Sequence, residues 1–71
     1  MLVNGRIRVS AVVSLRSDWV AARGEVIAAG EVGQVEEPGL VLVRVRFRGA
    51  TCWVAPEALQ LLANGPEATH V

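Results

Sequence analysis

The sequence predicts an all-β fold: a small closed barrel of five short strands, with one short helical turn before the last strand. Three observations predict it. Two segments alternate apolar and polar residues with period two, the mark of half-buried strands. Glycine and proline punctuate the chain at short intervals, as turns and bends require. Hydrophobic residues make up 52% of the chain, and closing the sheet removes the exposed edges that such an apolar β protein would otherwise carry.

The elements follow in order. In "RIRVSAVVSL" (6–15), Ile7, Val9, Ala11, Val13 and Leu15 fall on one face, and Arg6, Arg8, Ser10 and Ser14 on the other. "RSDWVAARG" (16–24) breaks that alternation and predicts a loop ending at Gly24. "EVIAAGEVGQVEE" (25–37) predicts a strand kinked at Gly30 and Gly33, where a bulge or sharp bend needs a residue without a side chain. Glu37-Pro38-Gly39 is a turn, with Pro38 presetting φ and Gly39 relaxing it. "LVLVRVRFRG" (40–49) is the clearest strand. Val41, Val43, Val45 and Phe47 line one face, and Leu40, Leu42, Arg44, Arg46 and Arg48 the other. Gly49 and Ala50 turn the chain back into "TCWV" (51–54) as a hairpin. "APEAL" (55–59) fits one helical turn with Pro56 at its first position. "QLL" (60–62) closes as a short strand, and "ANGPEATHV" (63–71) is a polar, loosely ordered tail.

This order of elements resembles an SH3-like barrel: strand, loop with Trp, "AAGEVGQV", turn, "VRVRFRG", "CWVAPEALQLL". "AAGEVGQVEE" is similar to the aGxxGxV element of small bacterial SH3-like and KOW-type domains. "VRFRG" followed by "WVAPEAL" resembles the ending of small barrel subunits such as the small stromal subunit of photosystem I. It also resembles the mind-bomb type of SH3-like repeat, which places a Trp shortly before its final turn. The resemblance runs over roughly residues 4–62 and implies one SH3-like barrel over 1–62, followed by the tail at 63–71. Its motifs specify a bend and a closing turn. They imply no chemistry, because many unrelated functions share this barrel.

Length and composition exclude several classes. A chain of 71 residues holds one domain with a thin core, one that buries about 60% of its unfolded surface. Cys52 is the only cysteine, so no internal disulfide forms, and Cys52 with His70 cannot complete a four-ligand zinc site. No cofactor is expected. No apolar run approaches the roughly 20 residues of a membrane helix. The start "MLVNGRIRVS" is interrupted by charge before an apolar block forms, so it does not read as a signal peptide. With a lone cysteine, this places the expected location in the cytoplasm. A phosphate cradle at Gly30 and Gly33 would need a helix start and usually a Lys, and the chain has no Lys.

Two sets of residues stand out for function. The first is basic: Arg44, Arg46 and Arg48 alternate on one strand, and Arg6 and Arg8 on another. If those strands share a sheet, the five form either a patch for phosphate, RNA or an acidic partner, or a solvated outer face that protects the sheet from aggregation. Seven arginines balanced by seven acids argue against generic nucleic-acid binding. The second set is apolar. Trp19, beside Asp18 in the long loop, either contacts a partner or folds back over the core; Trp53 is core or the rim of a groove. Leu40 and Leu42, with Val12, face outward.

Catalysis finds no set of groups here, because Cys52 has no plausible base and one His builds no triad. The absence of Tyr argues against a proline-peptide groove. The expectation is therefore a non-catalytic accessory or structural subunit, docking onto a larger protein assembly or forming a homo-oligomer, with no small-molecule substrate. The alternative is a KOW-like nucleic-acid-associated module using its arginine-lined strand.

Overall fold

A computed structural model describes residues 7–66. Seven strands run in the order β1 (Val12–Leu15), β2 (Trp19–Val20), β3 (Val26–Ile27), β4 (Val32–Pro38), β5 (Val43–Arg46), β6 (Thr51–Val54) and β7 (Leu59–Ala63). A 3-10 turn, Pro56–Ala58, precedes β7, with Pro56 first as the sequence predicts. Five strands make one antiparallel sheet in the order β6-β5-β4-β1-β7, and β2 and β3 form a separate two-stranded ribbon.

The fold is all-β, as expected, but the sheet is open. The expected closed barrel of five strands is corrected: β6 and β7 end the sheet, and no pairing joins them among the described residues. The ribbon accounts for the two extra strands. Residues 16–24, expected as loop, supply β2, and the expected strand 25–37 splits into β3 and β4. Gly30 stands at φ +88° in the turn between them, a conformation costly for other residues. Asp18 secures the base of the ribbon by accepting the Ala29 N–H at 2.8 Å.

Gly33 has a different role. A Cβ there would stand 2.6 Å from Val45 Cγ1 and 2.8 Å from Phe47 Cδ1. The missing side chain is what lets these two core residues close over β4. The fully buried centre is Val13, Val35, Val43, Val45 and Val54, flanked by Ile7, Leu15, Ile27, Phe47, Cys52 and Leu59.

Two apolar residues leave the faces that alternation assigns them. Val9 is 53% exposed because the Ala11 N–H donates to the Arg8 carbonyl, and Ser10 takes φ +75°, so the chain turns at 8–11 before β1 begins. Val41 is 77% exposed because β5 starts only at Val43, and residues 39–42 form a loop. The first residues after β7 are held. Arg8 donates from its backbone N–H to Asn64 Oδ1 and from Nε to the Gly65 carbonyl, both at 2.9 Å. A Cβ on Gly65 would overlap the Val9 carbonyl oxygen.

Candidate functional site

Three of the five apolar candidates meet at one groove. Trp19, Leu42 and Trp53 line an open depression of about 430 Å³ together with Val20, Arg23, Glu25 and Cys52. The β2–β3 ribbon forms one wall, and β6 and the 39–42 loop form the other. Trp19 packs against the core, one of the two places expected for it, and also lines the groove. Beside the groove, Leu40 is 91% exposed, and with Val41 and Leu42 it gives three consecutive exposed apolar residues in one loop. A Cβ on Gly39 would stand 3.2 Å from the Trp53 ring, which places the start of that loop against the indole.

Cys52 is buried beneath this groove. Burial pushes its thiol above the ordinary 9.0, and the Glu25 carboxylate adds to the rise. A thiol held protonated is a poor nucleophile, because the thiolate is the reactive form.

The arginine face is organised differently. β4 pairs Val35 with Val45 and Glu37 with Arg44, so Glu36 is the extra residue of a bulge. That bulge brings two consecutive carboxylates to the same arginine. Glu36 Oε1 lies 3.6 Å from Arg44 Nε, and Glu37 Oε1 lies 3.6 Å from an Arg44 terminal nitrogen. The Nε contact is within ion-pair range but beyond hydrogen-bonding distance. Glu36 also reaches Arg46 Nε at 3.5 Å, and Gln34 accepts from Arg46 at 3.4 Å. The Arg44 guanidinium stands over the Trp53 ring, 5.8 Å from its centroid.

The expected set of five arginines is not brought together as one free patch. Arg6 lies outside the described residues. Arg8 is tied to Gly65, and Arg44 and Arg46 face glutamates. Arg48 is exposed and lines a second depression with Val12, Val32 and Arg46. Sequence reasoning missed Glu36 and Glu37 as partners of the arginines, because only the bulge aligns both. It also missed Arg23 and Glu25, whose place on the groove follows from the ribbon.

Among the described residues, no helix is long and apolar enough to cross a membrane, and no group of three or more His, Cys, Asp or Glu side chains is placed to hold a metal ion. No family model, curated protein or solved structure matches the chain.

Proposed function

We propose that this is a non-catalytic protein-docking module, an accessory or structural subunit whose contact surface is the groove between the ribbon and β6. The observation that carries it is the convergence of Trp19, Leu42 and Trp53 on one depression beside the exposed Leu40-Val41-Leu42 loop. Exposed runs of three apolar residues work against solubility unless something covers them. Partly exposed tryptophans suit the anchor role that Trp fills at protein interfaces.

An SH3-like ancestry fits this reading. It is supported by the strand order β7-β1-β4-β5-β6, the ribbon inserted between β1 and β4, and the 3-10 turn before the last strand. The raised Cys52 thiol supports the non-catalytic part.

The KOW-like alternative would use Arg44, Arg46 and Arg48 on phosphates. Two of those three already face Glu36 and Glu37, whose negative charge opposes a phosphate backbone. The test is affinity capture from the native host by tagged wild type, Leu42→Glu and a triple Arg44→Glu/Arg46→Glu/Arg48→Glu variant, each with and without nuclease. Docking through the groove predicts a stoichiometric protein partner, a copy of this chain included, that survives nuclease and is lost with Leu42→Glu. Nucleic acid that disappears with the triple variant would replace this reading by the alternative.

A further inference from the structure

An Asn-Gly pair, Asn64-Gly65, stands where the turn before β1 meets the end of β7. Hydrogen bonds clasp that junction. Asn64 Oδ1 accepts from the backbone N–H of Arg8 and from that of Gly65, both at 2.9 Å. Arg8 Nε donates to the Gly65 carbonyl, also at 2.9 Å. Asn-Gly is the dipeptide in which asparagine is most readily lost, because the backbone nitrogen of an unshielded glycine attacks the side-chain amide before it. Here the two reacting groups are neighbours, yet the clasp holds them apart in orientation. The Gly65 N–H aims its proton at the carboxamide oxygen, not its electron pair at the carboxamide carbon. Arg8 fixes the same oxygen, and Gly65 is buried although Asn64 is exposed.

We propose that Asn64 is a self-modification site gated by this clasp, and that its conversion makes opening of the clasp irreversible. On opening, the Gly65 nitrogen gives its proton to solvent and bonds to Asn64 Cγ. The Cγ–Nδ2 bond breaks, ammonia leaves, and a cyclic imide joins the two residues. Water then opens the imide. Attack at the side-chain carbonyl gives aspartate, and attack at the main-chain carbonyl gives isoaspartate, which routes the backbone through Cβ and Cγ. The isoaspartyl link cannot resume the closed geometry. It adds a carbon to the backbone at a place where Gly65 has no room even for a Cβ, which would overlap the Val9 carbonyl oxygen. The proposal stands apart from the reading of the groove.

The test follows conversion at residue 64 by peptide mapping, which separates it from the chain's other Asn-Gly pair, Asn4-Gly5. In native buffer the wild type should convert about tenfold or more slowly than in denaturing urea at the same pH and temperature, since reaction waits on local opening. Arg8→Ala deletes the Nε bond and should raise the native rate by about fivefold, the effect of one net hydrogen bond. A measurement on the wild type guards against a general loss of folding in that variant. In sub-denaturing urea, hydrogen exchange at the Arg8 and Gly65 amides and conversion of Asn64 should rise together. The isolated isoaspartyl form should melt below Asn64→Asp, whose carboxylate keeps the backbone length and still accepts from both N–H groups. Equal rates in native buffer and urea would overturn the gate. So would a rate unchanged by Arg8→Ala, or conversion that rises without exchange at those amides. An isoaspartyl form as stable as Asn64→Asp would overturn the irreversibility.

Discussion

The face of β4 and β5 and the groove beside β6 lie on neighbouring strands and are linked by the Arg44–Trp53 contact, yet they balance their surfaces in opposite ways. On the first, Glu36, Glu37 and Gln34 meet Arg44 and Arg46 within the same chain. On the second, Leu40, Val41 and Trp53 stand in solvent, and Arg23 and Glu25 have no ion-pair partner among the described residues. The difference separates a surface whose charges are matched within the described chain from one whose apolar residues are left uncovered by it. It also shows why counting arginines misleads: a basic row on one strand attracts a partner only if the next strand has not already supplied the acids.

The largest expected effect comes from the core beneath β4. Gly33→Ala forces a methyl into Val45 and Phe47, so denaturant unfolding should show a loss of about 1–3 kcal/mol. Trp53→Ala acts at the link between the surfaces. It removes the cation–π contact, worth about 0.5–1 kcal/mol at an exposed site, and the same variant should lose partner capture altogether. An unchanged capture would detach Trp53 from the groove. Smaller still, Glu36→Gln releases two arginines and should cost about 0.5–1 kcal/mol, while Glu37→Gln, which touches one, should cost less. Both losses should shrink at high salt, and capture should be unaffected by either.

The smallest effect is seen only in alkali. The folded Cys52 thiol holds its proton more tightly than the unfolded chain does, so its contribution to stability is complete below pH 9.0. That contribution disappears as the pH rises through the raised folded value. Thermal melting of Cys52→Ala should therefore fall less steeply above pH 9 than that of wild type. Burial is the larger cause, and Glu25→Gln should remove only the lesser part of the difference.

Much of the sheet was legible from alternation. Ala11, Val13 and Leu15 are buried as the period assigns them, as are Val43, Val45 and Phe47. Pattern failed where a backbone turn intervened that no side chain announces. Ser10 at φ +75° turns Val9 outward, and the late start of β5 frees Val41. The ribbon was hidden because two-residue strands are too short to show a period. Closure was inferred from the need to protect edges, but the chain places its ribbon and its 39–42 loop beside β6 instead. Trp19, Leu42 and Trp53 were each legible as residue types in suspicious places. That they share one groove was not, because it depends on the ribbon's position against β6, a strand distant in sequence.

The place of β1 in the sheet has a consequence for how the chain is made. Its two neighbours are β4 and β7, and Arg8 completes its contacts only at Asn64 and Gly65. During synthesis β4, β5 and β6 can zip through short local hairpins as they emerge. β1, however, keeps one flank bare until β7 leaves the ribosome. Such a nascent chain finishes its sheet in one late step, and a message truncated before the codon for Leu59 would release a polypeptide with β1 open to pairing with any strand it meets.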